Sequence, residues 1–315
     1  MNRWLALMLK LLVSGTLLFL LFRRIEAQQL HVLLRRANVG LIGLAVSMYT
    51  LGQILCAYRW KLLLNAVGFD LPLARTVSLY FLGMFFNLFF PTMVGGDAVK
   101  VYYLTREFGD IPRSTTTVLM DRDAGLGALL LVAVVVSGVA RVRFLDVPMF
   151  PLLVGMFAAF GVANLLLFYD PTYRRLARWF ERLRWTRLAG LTRQLHAAFS
   201  AYRQSLDRLL GAVGLSLLFD MALIGFAYLA ARAIGWPVAF TYFCVFIPLI
   251  ALISMVPITV YGFGLREYAF VFFFSRVGMS EEASLLLSFL FFFIVLVSSL
   301  PGAVVYIFYR RRPVS

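Results

Sequence analysis

Long apolar runs separated by short polar breaks dominate this chain. The runs fall at 4–22, 39–57, 74–93, 115–140, 149–169, 209–231, 239–257, 261–276 and 283–308. Segments such as 126–140, LGALLLVAVVVSGVA, are continuously apolar, without the period-two alternation of a membrane β-strand. Several runs exceed the length needed to cross about 30 Å of hydrocarbon. The expected fold class is therefore all-α. It is a polytopic integral membrane protein with about six full transmembrane helices plus two broken or re-entrant hairpins. The first run, Trp4–Phe22, is long for a signal peptide and ends at Arg23-Arg24 with no small-x-small site after it. It is read as a retained helix.

One connection is long. The 170–208 segment carries nine arginines against Asp170, Glu181 and Asp207. Arg174, Arg178 and Arg182 share one helical face, with Leu176, Trp179, Phe180 and Leu183 between them. This pattern predicts a cytoplasmic amphipathic connection lying at the membrane surface. Arg310-Arg311-Arg312 places the C-terminus on the cytoplasmic side as well.

Two places break the apolar pattern more deeply than an anchor requires. The first is Asn87-Leu-Phe-Phe-Pro91 through Gly95-Gly96-Asp97-Ala-Val-Lys100. The second is Pro257 through Gly262-Phe-Gly264-Leu-Arg266-Glu267. In both, a proline is followed by a glycine five residues on and a cation nine residues on: Pro91, Gly96, Lys100 and Pro257, Gly262, Arg266. Proline removes a helical hydrogen bond and glycine permits backbone shapes that other residues resist. Interrupted helices survive at membrane depth only where protein or a wet cavity covers the freed backbone groups. Paired breaks of this kind mark substrate sites in transporters, where helix N-termini meet anionic groups. Lys100 and Arg266 suit a phosphate, and Asp97 and Glu267 would balance them without ligand. A further charged triplet, Asp121-Arg122-Asp123, precedes Gly125, and Asp220 stands alone inside an apolar run.

Composition narrows the partners. The 315 residues are 62% hydrophobic and 14% charged, with a formal net charge of +15. No separate basic domain holds that charge, so nucleic acid is not the expected partner. Cytoplasmic loops facing anionic lipid are. Cys56 and Cys244 lie in apolar runs and are expected as buried free thiols. His31 and His196 are far apart, and no cluster has metal-ligand spacing, so neither a metal nor a cofactor is expected. No phosphate-binding Gly-x-x-x-x-Gly-Lys-Ser/Thr loop occurs.

These residues carry a resemblance. Gly95-Gly96-Asp97-Ala98-Val99-Lys100 resembles the Gly-Gly-Asp-x-x-Arg/Lys signature of the flippase-like family, the transmembrane region of lysylphosphatidylglycerol synthases and its stand-alone relatives. Arg59-Trp60-Lys61, Asp121-Arg122 with Gly125-Leu126, and Pro257 with Gly262, Gly264, Arg266 and Glu267 resemble further segments in the same order. The run Phe90-Pro91-Thr92-Met93-Val94 is bulkier than the family's small residues before Gly-Gly-Asp, and Thr259-Val260-Tyr261 likewise replaces smaller ones.

The resemblance implies a single transmembrane domain over 1–315, with pseudo-symmetric halves at about 1–140 and 149–309 and re-entrant helices. It implies a lipid translocator rather than an enzyme. In two-domain members a soluble domain makes the aminoacylated lipid. None is expected here, so the synthase activity is not carried over. The substrate would be a phospholipid or polyprenyl-phosphate-type lipid with an anionic or zwitterionic headgroup. The headgroup would pass a groove lined by Asp97, Lys100, Arg266 and Glu267, with Asp121 and Arg122 near its mouth. Pro91, Gly95, Gly96, Pro257, Gly262 and Gly264 would supply the backbone breaks, and the bacterial cytoplasmic membrane would be the location. Two alternatives stand beside it: a membrane-embedded lipid-modifying transferase using Asp97 or the Asp121/Asp123 pair, and a non-catalytic scaffold for an envelope-lipid enzyme.

Overall fold

The architecture comes from a computed structural model. It describes residues 3–23, 27–90, 95–168, 170–182, 205–256, 258–260 and 262–310, with the isolated positions 185, 190, 196, 200 and 202. Twelve α-helices stand among them. They are α1 (Arg3–Phe22), α2 (Ala27–Arg36), α3 (Val39–Ala66), α4 (Leu73–Asn87), α5 (Gly95–Phe108), α6 (Ile111–Val139), α7 (Met149–Phe168), α8 (Asp170–Arg182), α9 (Leu206–Ala233), α10 (Phe240–Met255), α11 (Leu265–Phe274) and α12 (Glu281–Arg310). A two-residue-per-strand hairpin, β1 (Arg143–Phe144) and β2 (Val147–Pro148), joins α6 to α7. The chain is thus an all-α polytopic membrane protein. Five helices are long and apolar enough to cross a bilayer: α3, α6, α7, α9 and α12. α1 carries a shorter apolar stretch, Lys10–Leu21.

Local chemistry sets the ends of these helices. Asn38 accepts the Leu41 N–H at the start of α3, and Asp110 accepts the Arg113 N–H at the start of α6, where Pro112 needs no partner for a missing N–H. Between α5 and α6, Gly109 takes φ +73°, the left-handed shape that turns the chain back within two residues.

The second span extends further than its apolar run. The apolar run ends at 57, but the helix continues to Ala66, and Arg59 is buried in its body. The helix continues through the cation because Asp121 on α6 neutralises it.

Both interruptions fall where the sequence places them. α4 stops at Asn87 and α5 starts at Gly95; α10 stops at Met255 and α11 starts at Leu265. Pro91 and Pro257 lie outside the described residues. The four flanking helices have 15, 14, 16 and 10 residues. At about 1.5 Å per residue none spans about 30 Å of hydrocarbon alone. Among the described residues, two of the freed backbone N–H groups find side-chain partners, in keeping with what membrane depth requires. Asn87 Oδ1 accepts the Gly96 N–H at 2.6 Å, and Ser14 Oγ on α1 accepts the Val260 N–H at 3.0 Å. Gly262 and Gly264 have φ of +76° and +85°, values that side chains resist.

The packing is reciprocal. α3, α4, α5 and α6 repeat the long–short–short–long order of α9, α10, α11 and α12. α3 packs along α9. α4 packs on α12 as α10 packs on α6, and each short pair forms its own hairpin. The approach of α4 to its neighbours is close enough to need glycine. A Cβ on Gly96 would lie 1.8 Å from the Gly83 carbonyl oxygen, and one on Gly302, beside the helix-interior Pro301, would lie 2.1 Å from that of Phe81.

The largest apolar core surrounds α9 to α12, with Phe226, Phe243, Phe246, Phe270 and Phe274 fully buried. Phe144 of the β-hairpin enters it against Phe246, Phe272 and Phe273. Within 170–208, α8 is helical, with Arg174, Arg175, Arg178 and Arg182 exposed and Trp179, Phe180 and Trp185 in mutual ring contact. Most of 183–204 lies outside the described residues. The end of the connection docks on the C-terminal end of α3. The Tyr202 hydroxyl donates to the Leu63 carbonyl at 3.0 Å, and the Arg208 guanidinium donates to the Asn65 carbonyl.

Candidate functional site

α3 brings Arg59 and Trp60 to the junction with α6. Arg59 Nε donates to Asp121 Oδ1 at 2.8 Å, and its Nη1 donates to Ser216 Oγ on α9 at 2.8 Å. The Tyr80 hydroxyl on α4 donates to the other oxygen of Asp121 at 3.4 Å. One ion pair therefore ties four helices. Both partners are buried, so each depends on the other for its charge to be tolerated.

A second group is built on α5. Asp97 sits in its first turn, where the helix dipole favours a carboxylate. Asp97 Oδ2 accepts from Arg122 Nε at 2.7 Å, and its Oδ1 lies 3.7 Å from Lys100 Nζ. Lys100, one turn on, points over the Tyr80 ring at 3.7 Å and the Trp60 ring at 5.2 Å. Its ammonium is held mainly by ring faces and one distant carboxylate, which leaves N–H donors for a further acceptor. Trp60 is itself fixed by a 3.3 Å bond from Nε1 to Thr117.

The third group sits at the start of α11. Arg266 reaches Glu267 through Nε at 3.0 Å and Nη2 at 2.5 Å, and it lies over the rings of Phe263 and Phe292. Glu267 also accepts the Gly264 N–H at 2.6 Å and the Ser288 hydroxyl at 3.4 Å. That carboxylate thus caps the helix and anchors its arginine.

These groups surround one cavity of about 330 Å³. Arg59, Lys100, Arg122, Arg266, Asp97, Asp121 and Asp220 line it, with Gln53, Asn87 and Ser254 as neutral polar groups. Elsewhere its wall is apolar, formed by Leu129, Leu223, Ile247, Ile250, Phe291 and Val295. The cavity is therefore two-natured, with most of its charge on α3 to α6 and α11, Asp220 on α9, and an apolar wall supplied mainly by α9, α10 and α12. The Arg122 side chain is 41% exposed, which leaves a route to the charged side.

Of the six residues predicted to bind substrate, five meet at this cavity: Asp97, Lys100, Asp121, Arg122 and Arg266. Glu267 does not reach it. It is fully buried behind Arg266 because the Gly264 N–H and Ser288 hold its oxygens there. Gly95 and Gly96 begin α5, and Gly262 and Gly264 lead into α11. The Asp-x-Asp pair of 121–123 diverges. Asp121 faces Arg59, while Asp123 lies toward Asn164 on α7, so the two carboxylates do not converge on one ligand. Among the described residues no three His, Cys, Asp or Glu side chains gather at metal-binding distance. Cys56 and Cys244 are free and buried.

The sequence reading missed Arg59 as a cavity residue, along with Tyr80, Gln53, Asn87 and Ser254. Gln53 and Asn87 had a usable signal, each being the only side-chain amide in its apolar run.

The model of the family described as lysylphosphatidylglycerol synthase TM region matches residues 7–302. A membrane protein of Pyrococcus horikoshii, named UPF0104 membrane protein PH1989, is 27% identical over 117 residues. The match covers 36% of this chain and 35% of that protein, so the chain spans about a third of that relative's length.

Proposed function

The chain belongs to the family of the lysylphosphatidylglycerol synthase transmembrane region, and from that premise we propose that it translocates a lipid across the membrane it spans. The lipid is a phospholipid or polyprenyl-phosphate-type molecule. Its headgroup passes through the charged side of the cavity while its chains stay against the apolar side and the surrounding bilayer. One observation carries this reading: a cavity lined by four cations and three carboxylates lies within a mainly apolar bundle. Intramembrane charges are expensive and are kept where a polar group must travel. A phosphate fits this donor set, with guanidinium forks from arginine and a compact ammonium from Lys100. The two-natured wall matches an amphiphile.

The short-helix pairs α4–α5 and α10–α11 act in this reading as re-entrant hairpins that frame the cavity, because none of the four helices is long enough to cross. The protein works in the bacterial cytoplasmic membrane, with the arginine-rich α8 and the C-terminus at the cytoplasmic surface. It acts as a carrier, without enzymatic turnover of the lipid.

The test is reconstitution of the purified chain in liposomes containing inner-leaflet fluorescent phosphatidylglycerol, phosphatidylethanolamine or a polyprenyl phosphate. Exposure in the outer leaflet is followed with an impermeant quencher. Acceleration by the wild-type chain, with loss of about tenfold or more in Lys100→Ala, is the expected result. Equal rates with folded wild-type and Lys100→Ala protein would remove the cavity from the pathway.

A further inference from the structure

Asp220 stands apart from the other charged groups of the cavity. It lies in the middle of α9, is 2% exposed, and its Oδ2 has no hydrogen-bond partner among the described residues. From α3, Cys56 and Arg59 act on it electrostatically, and Tyr49 lines the same cavity. On α6, Asp121 and Arg122 complete the charged surroundings, with Asp121 already bonded to that same Arg59. α10 and α12, also packed on α9, present no titratable side chain to the cavity. A carboxylate in this position is costly to hold ionised away from water, and a proton that binds it relieves that cost.

The charges around the cavity show which. Arg59, Lys100, Arg122 and Arg266 give four positive charges. Asp97, Asp121 and Asp220, with Glu267 directly behind Arg266, give four negative ones. Empty, with Asp220 ionised, the site is neutral. A headgroup carrying one negative charge would unbalance it by one, and a proton on Asp220 restores the balance.

We propose that Asp220 is the proton-binding site of an electroneutral symporter, in which one proton and one singly charged anionic lipid enter the cavity and leave it together. The proton forms an O–H bond with the Asp220 carboxylate on the loading side and is released to water on the other side, with no other bond made or broken. This inference rests on the translocation reading above and adds its driving force and the charge of its cargo.

The test uses wild-type, Asp220→Asn and Asp220→Glu proteoliposomes carrying fluorescent phosphatidylglycerol. With one proton per lipid, a gradient of about one pH unit shifts the steady-state leaflet ratio of the wild type by about tenfold. A potassium diffusion potential without a pH gradient leaves the wild-type ratio unchanged. Asp220→Asn fixes that position as neutral, so its empty cavity carries one positive charge. Its leaflet ratio is then blind to pH but shifts about tenfold with about 60 mV, the equivalent for one charge. Asp220→Glu restores the pH response.

A wild type that ignores the pH gradient, or an Asp220→Asn protein that follows it equally, overturns the symport while leaving translocation standing. If the wild type moves no lipid, the translocation reading fails, and with it the symport. Infrared difference spectra of wild type against Asp220→Asn in nanodiscs still judge the proton site if Asp220→Asn alone is inactive. A carboxylic C=O band that appears and disappears with pH supports it, and a carboxylate that stays ionised throughout refutes it.

Discussion

The substitution Gly96→Ala adds one methyl group at the tightest glycine-to-backbone approach among the described residues. Its Cβ would sit 1.8 Å from the carbonyl oxygen of Gly83 and 2.8 Å from the Asn87 side chain. Relief to an ordinary carbon–oxygen contact needs a separation greater by about 1.6 Å, and the obstructing atom is backbone, so no rotamer change supplies it. α5 must therefore move off α4, which stretches the 2.6 Å bond from the Gly96 N–H to Asn87 and shifts Asp97 and Lys100 in the same turn. Overpacking of this kind costs about 3 kcal/mol, roughly a hundredfold in the population of opened protein.

The chain carries its own reporters for that opening. Cys56 and Cys244 are free and 2% and 1% exposed. Labelling by a thiol-reactive dye in detergent, with fast reclosing, tracks the open population. Gly96→Ala should label about a hundredfold faster than the wild type. Gly214→Ala, on a helix face where an added Cβ meets nothing within 4 Å, should label no faster, because alanine is the better helix former. Equal labelling of Gly96→Ala and Gly214→Ala would refute the argument that α4 and α5 need glycine to meet.

Two further outcomes test the charged groups. Arg59→Leu or Asp121→Leu alone leaves a buried unpaired charge and should cost about 3–5 kcal/mol, while the double variant recovers most of that loss in the same labelling assay. Glu267→Ala removes the acceptor of the Gly264 N–H and the partner of Arg266 together, and should destabilise by about 3 kcal/mol. Ser288→Ala, which loses only a 3.4 Å bond, should differ little from wild type on thermal unfolding.

The membrane class, the helical spans and the two interruptions were legible because hydropathy and the Pro–Gly–cation spacing are local signals. The group on α5 was legible for the same reason, since Asp97 and Lys100 lie one turn apart. Arg59 was not. The apolar run stops at Ala57, and Arg59-Trp60-Lys61 reads as the polar edge of a loop. Its pairing with Asp121, 62 positions away, exists only once α3 and α6 are packed. The β-hairpin after α6 was missed because its turn residues, Leu145 and Asp146, both take positive φ without a glycine to announce it. Glu267 was placed on the wrong side of its arginine, because nothing in one dimension says which of two adjacent side chains looks inward.

The ion pairs also bear on how such a chain enters a membrane during synthesis. Arg59, Asp97, Lys100, Asp121 and Arg122 find their partners before residue 140, and Arg266 pairs with its immediate neighbour Glu267. The charges that emerge first can therefore be compensated before α9 to α12 leave the ribosome, so neither set need wait in hydrocarbon for the other. The apolar faces of α4 and α6 are different, because α12 and α10 cover them only when the later helices arrive. Lipid fills that role in the interval, and the last step of assembly is its displacement by protein.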